Sequence, residues 1–264
     1  MSEQLTATVI VPDAPPSPLA AIRVDGLRKS FGTGSRQVEA IGGIDLSVRR
    51  GEFLSVLGAS GCGKSTLLNL IAGLDAPSAG TITTTGPAAL MFQESALFGW
   101  LTVRKNVELP LRLRGVPRAE RRERAAALLD QVRLSGFADR RPHELSGGMR
   151  QRAALARAFA QDSEILLMDE PFGALDAMTR DLLHAELEQL WADRNQTIVF
   201  VTHNVREAVR LGDRVVLLTS RPGTVAEEFA VDIERPRRIE SPEVSSLAGT
   251  ITERLKQEVR RHAG

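Results

Sequence analysis

"LGASGCGKST", residues 57–66, sets three glycines, a lysine, several hydroxyl residues and the only cysteine of the chain between two apolar runs. The spacing G-x-x-x-x-G-K-S from Gly58 to Ser65 reads as a phosphate cradle. Glycines let successive N–H groups turn inward on an anion, and the helix predicted to begin near Gly63 presents its positive end to the same point. Gly58, Ala59, Ser60, Gly61, Cys62, Gly63, Lys64, Ser65 and Thr66 are the candidate phosphate-binding residues, with Lys64 reaching the β/γ-phosphates and Ser65 a ligand of Mg²⁺. The flanks supply the context such a loop needs: "EFLSVL" (52–57) reads as a buried strand and "STLLNLIAGL" (65–74) as an apolar helix.

Composition narrows the remaining classes. At 264 residues the chain can hold one sizeable core with a smaller lobe. Its 34 basic and 33 acidic residues leave a net charge of +1, so no global basic field argues for nucleic acid. A lone cysteine excludes an internal disulfide and fits a reducing compartment. No run approaches the roughly 18 apolar residues that span a bilayer, and no signal pattern opens the chain, so any membrane role is expected through a partner.

Residues 1–20, with "VPDAPPSP", are Pro-rich and aperiodic and are expected to form a disordered leader. From 21 to 49 the chain alternates apolar and polar residues as strands do, with turn signals at Gly32–Gly34 and Arg50–Gly51. "GTITTTGPAALMFQ" (80–93) is strand-like, 103–160 turns helical, and "EILLMDE" (164–170), "TIVFVTH" (197–203) and "DRVVLLT" (213–219) are buried strands separated by helices at 177–194 and 204–211. The expected fold is α/β: a phosphate-loop NTPase core with a mostly parallel sheet, an antiparallel β lobe and an inserted helical lobe at about 94–160. The predicted core spans 21–230, leaving 231–264 as a short extension with at most a strand and a helix.

"MDE" adds what a phosphate loop lacks alone. Asp169 could hold Mg²⁺ through its water shell, and Glu170 could orient or deprotonate a water attacking the γ-phosphate. "ELSGGMRQRAALARAFA" (144–160) then opens a second helix on Ser146-Gly147-Gly148. Taken with "ILLMDEPFGALD", this string resembles the ATP-binding subunits of ABC transporters, over residues 21–225. The resemblance implies ATP as substrate and Mg²⁺ as cofactor. It places Ser146, Gly147, Gly148 and Gln151 in a signature that acts in trans on the ATP held by a second copy of the chain. It makes Gln93 a contact of Mg²⁺ or the attacking water, Asp176 part of a loop at the dimer interface, and His203 a switch that donates to the γ-phosphate. Phe31 lies where the family stacks an aromatic on adenine; strand core is the alternative for a phenylalanine there.

With one loop, one signature and no membrane span, the chain resembles importer subunits, most of all the nitrate/sulfonate/taurine subgroup. That resemblance implies a homodimer on the cytoplasmic face of the inner membrane, a separate permease, an extracytoplasmic solute-binding protein and no nucleic acid. "QESALFGWLTVRKNV" (93–107) would line the groove that receives a helix of the permease, with Phe98 and Trp100 either groove contacts or core. Ser95 and Gly99 stand where the subgroup often has proline. An exporter's ATPase, or a soluble ABC ATPase acting on ribosomes or DNA, is the alternative. The Arg-rich run 118–124 sits on a helical pattern with glutamates and is read as a solvated face.

Overall fold

A computed structural model of the chain describes residues 20–173 and 175–262. The expected leader lies outside these residues except for Ala20, which opens the first strand. The chain divides into two units, with boundaries at Thr85/Gly86 and Gln196/Thr197.

The first unit carries two sets of strands. β1 (Ala20–Phe31), β2 (Val38–Arg49) and β4 (Ala79–Thr84) form an antiparallel sheet in the order β2-β1-β4. β3 (Phe53–Leu57) runs parallel to β7 (Thr197–Val201) on one side and β8 (Arg214–Leu218) on the other, and β9 (Val225–Ala230) closes antiparallel on β8. Every residue of β3 and β7 is buried, the signature of a strand covered on both faces. The unit also holds α1 (Lys64–Ile71), α6 (Val205–Leu211) and α7 (Pro242–His262).

The second unit pairs β5 (Ala88–Met91) with β6 (Ile165–Asp169) in parallel and adds α2 (Val103–Leu113), α3 (Arg118–Gln131), α4 (Gly147–Phe159) and α5 (Ala177–Arg194). The strand-like run 80–93 is therefore two strands: the turn at Thr85–Pro87 ends an antiparallel strand, and a parallel one follows it. The Arg-rich run lies on α3 with Arg118, Arg122 and Glu123 exposed, while Arg124 pairs with Glu120 and Asp162.

α7 packs Val244, Ala248 and Ile251 into a cluster with Val209, Val215, Leu217 and Phe229. The connection into α7 is fixed by Arg237, 5% exposed, whose guanidinium donates to the carbonyls of Val209, Arg210 and Gly212 at the end of α6 and of Val231 and Ile233 on the connection itself. The last carbonyls of a helix have no partner within the helix, and a cation there also meets the negative end of its dipole. Arg237→Met should therefore leave buried carbonyls unpaired and cost about 3 kcal/mol. Thermal unfolding checks this: the variant should melt several degrees below the parent protein, while an unchanged Tm would show that water takes over the grip.

Candidate functional site

In the first unit β3 delivers the chain into the loop 58–63, and α1 begins at Lys64. Gly63, the residue capping α1, has φ +99°, and a Cβ on it would lie 2.8 Å from the Ala40 carbonyl oxygen; only glycine fits there. The outside of the loop is packed by the turn after β8, where a Cβ on Gly223 would stand 2.1 Å from the Cys62 carbonyl oxygen. Gly223 also exchanges backbone hydrogen bonds with Ala40 and Gly42, and the Arg221 guanidinium donates to the Gly61 carbonyl at 3.3 and 3.4 Å. These contacts engage the loop's carbonyls from behind.

Lys64 is buried, and its Nζ donates to the carbonyls of Gly58 at 2.9 Å and Ala59 at 3.1 Å, so its charge is folded onto its own loop. Cys62 is buried beside it. Burial pushes its thiol above the ordinary range, an effect the Lys64 charge opposes only in part. Ser60, Gly61 and Ser65 are exposed.

Phe31 is not core: its ring is 46% exposed, with the Lys29 Nζ 4.9 Å from the ring centroid and itself anchored to Asp75 at 2.7 Å. His203 follows β7 and is exposed, between buried Thr202 and Asn204, which caps α6.

In the second unit β6 ends in Asp169, and Glu170 follows with φ +43°. A glutamate in the left-handed region costs of order 1 kcal/mol or more, and such strain gathers at functional positions. Gln151, 8% exposed on α4, joins two predicted elements: its Nε2 donates to the Gln93 carbonyl at 3.2 Å and to the Pro171 carbonyl, one residue past Glu170, at 2.6 Å. Arg157, further along the same helix, donates to the carbonyls of Ser95 at 3.0 Å and Ala96 at 2.6 Å. Nothing in the sequence marks Arg157, since an arginine on a helix carries no local signal that it will hold a loop.

Ser146 caps α4 by accepting from the Met149 N–H at 3.3 Å, yet Ser146 and Gly147 are exposed and no acid lies in the helix's first turn. Gly148 packs on the start of α5, where a Cβ would come within 3.0 Å of Thr179. Asp176 caps α5, accepting from the Thr179 N–H at 3.0 Å, and this hydrogen bonding holds its carboxyl below the usual range. Ala174 lies outside the described residues.

Phe98 and Trp100 pack tilted on one another with centroids 5.2 Å apart, are 36% and 73% exposed, and line a groove of about 410 Å³ with Leu101, Leu109 and the basic residues Lys105, Arg112, Arg118 and Arg121. Neither ring is core.

A glycine-packed loop after a buried parallel strand, a lysine drawn into it and a separate strand ending in two acids define a phosphate-loop ATPase cassette. The chain belongs to the ABC transporter family, whose pattern matches residues 41–173, and it is an ATP-hydrolysing cassette of that family. It is 48% identical over 246 residues to an uncharacterised ABC transporter ATP-binding protein of Methanocaldococcus jannaschii, covering 90% of this chain and 92% of that one. It is 45% identical over 220 residues to the nitrate import ATP-binding protein of Synechocystis, covering 80% and 83%. It is also 45% identical over 255 residues to a bicarbonate transport ATP-binding protein of Synechococcus elongatus, covering 90% of this chain and 38% of the longer relative. The dimeric post-hydrolysis structure of an ATP-binding cassette bound to ADP and Pi superposes with a TM-score of 0.73 at 33% identity, over 81% of this chain and 100% of that one. Among the described residues no helix is long and apolar enough to cross a membrane.

The buried thiol carries a prediction about pH. Because its pKa is raised, Cys62 stays protonated at neutral pH, so alkylation by iodoacetamide should be much slower than that of free cysteine and should accelerate only as pH rises past the ordinary thiol range. Labelling as fast as free cysteine at pH 7 would contradict the buried setting.

Proposed function

We propose that the chain is the ATPase subunit of a bacterial importer, working as a homodimer that closes around two ATP molecules. The observation that carries this reading is the start of α4: a capped helix end, exposed and with no acid of its own in the first turn, which suits an anion brought by another molecule. In the proposed reaction the N–H groups of residues 58–66 and the Lys64 ammonium bind the phosphates, and Phe31 stacks on adenine through the ring face that Lys29 leaves free. Glu170 orients or deprotonates the attacking water, and His203 donates to the γ-phosphate.

The Mg²⁺ of this reaction fits the donor set. Ser65, the Gln93 carboxamide and Asp169 offer only oxygen ligands, which suits a hard cation that keeps several waters and phosphate oxygens. A bound metal would neutralise phosphate charge, and these three residues would supply its protein oxygens. Gln151 holds the backbones of Gln93 and of Pro171 from one helix, so the proposed metal contact and the residues after Glu170 share one support.

Hydrolysis removes the γ-phosphate that both copies grip, and the dimer opens. Glu170→Gln should retain ATP and accumulate as a closed dimer, whereas Ser146→Arg should remain monomeric. A sizing column run with Mg-ATP checks this, and equal monomer content in the two variants would sink the assignment.

The groove at Phe98 and Trp100 would receive a cytoplasmic helix of a separate permease, holding the subunit at the cytoplasmic face of the membrane. Relatives that import nitrate and transport bicarbonate suggest a small oxyanion, or a sulfonate, as cargo, delivered by an extracytoplasmic binding protein. Crosslinking in the native cells, followed by purification from solubilised membranes, should recover a multi-span permease. Trp100→Glu should lose that permease while keeping ATP binding, and ribosomal or DNA-repair proteins in its place would overturn the transport reading.

A further inference from the structure

We infer that Glu207 is a positioning residue for His203, acting through a buried hydrogen bond to Thr202. The inference rests on the proposed role of His203 toward the γ-phosphate and deepens it. His203 sits in a three-residue turn whose two neighbours are both tied down. Thr202, 2% exposed, donates its hydroxyl to Glu207 Oε2, and that hydroxyl's own oxygen, Thr202 Oγ1, accepts from the Asn204 N–H at 3.1 Å. Glu207, 4% exposed, lies on the first turn of α6, and the Asn204 side chain closes the circuit by accepting from the N–H groups of Arg206 at 3.1 Å and Glu207 at 3.3 Å. The exposed imidazole is thus mounted on a closed ring of hydrogen bonds, and Glu207 reaches back from α6 into the turn through its side chain.

The ring is also keyed to the strand that leads into the phosphate loop. The Thr202 N–H donates to the Val56 carbonyl at 3.2 Å, and the Ser55 hydroxyl donates to the Ala208 carbonyl at 3.1 Å. Gly212, at the other end of α6, leaves no room for a side chain, since a Cβ there would meet the Ser55 hydroxyl oxygen at 2.7 Å. Residues 202 and 208 are therefore registered on β3 one and two residues before Leu57, where the chain turns into the loop. A buried carboxylate costs free energy unless it is hydrogen-bonded, and it returns a charge-assisted bond stronger than a neutral one. Placed here, that bond fixes the backbone on both sides of one histidine. Without it the turn still connects β7 to α6, and the imidazole loses its defined direction.

The test compares steady-state ATPase kinetics of Glu207→Ala, Glu207→Gln, Thr202→Val, Thr202→Ser and His203→Ala with the melting temperature of each nucleotide-free protein. Glutamine can still accept from the threonine hydroxyl, and serine keeps that hydroxyl, so these two variants should retain kcat within about twofold. Glu207→Ala and Thr202→Val should each lower kcat by about tenfold or more, with KM for ATP within about twofold, because the loss is in the transition state rather than in binding. The double variant should be no slower than the worse single one, since both remove the same bond. If Glu207→Ala does not fold, the Thr202→Val and Thr202→Ser pair carries the test. Full activity in Thr202→Val while His203→Ala is impaired overturns the inference alone. Full activity in His203→Ala overturns the role proposed for the histidine itself.

Discussion

The Lys64 ammonium, buried and bonded to the carbonyls of Gly58 and Ala59, is the constraint on which the rest of the nucleotide site depends. A buried cation must be paired or hydrogen-bonded, and here the loop's own oxygens do it. That arrangement uses carbonyls that would otherwise need other partners, and it stores a positive charge at the start of α1, where phosphate is attracted by the helix end as well. The loop cannot relax outward to lose this charge: Gly223 lies against the Cys62 carbonyl and Gly63 against the Ala40 carbonyl, at distances that exclude any side chain. In the binding proposed above, a phosphate that draws the lysine off these carbonyls would meet a loop whose backbone is already packed in place. Its ordering cost would then be met in folding rather than on binding.

The second unit applies the same economy from a single helix. α4 begins at Gly147, capped by Ser146, with both residues exposed; about one turn on Gln151, and about three turns on Arg157, hold the backbone of Gln93, Ser95, Ala96 and Pro171. Shifting α4 shifts the supports of Gln93 and of the strained Glu170 region together. If its first residues meet a second molecule, as proposed above, a helix whose later residues grip two loops would act as a lever between that contact and those loops.

Short, largely apolar runs made the core legible in the sequence. Residues 53–57, 165–169, 197–201 and 214–218 are strands buried almost throughout, as the runs implied. The loop at 58–63 was legible as a strand-to-helix turn because its signal is local: glycines set between the two apolar runs that form β3 and α1. Stretch 80–93 was harder, since two strands with different partners share one threonine-rich run, and only pairing distinguishes them. Phe31 could not be decided from alternation, which predicts a face but not whether anything covers it; the fold leaves its ring half-exposed. Arg157, Glu207 and Arg237 gave no signal at all, because each acts on backbone groups or a hydroxyl that only the folded chain brings within reach.

In the function proposed above, one copy of the chain does not hold a complete hydrolytic site. The dependence of specific ATPase activity on protein concentration tests it most directly. If the signature of one copy completes the site of another, activity per subunit should fall steeply on dilution through roughly a hundredfold range around the dimerisation constant, by mass action. A specific activity that stays constant from the micromolar range down to dilutions at which sizing shows only monomer would mean that each chain hydrolyses ATP alone, and would contradict the account.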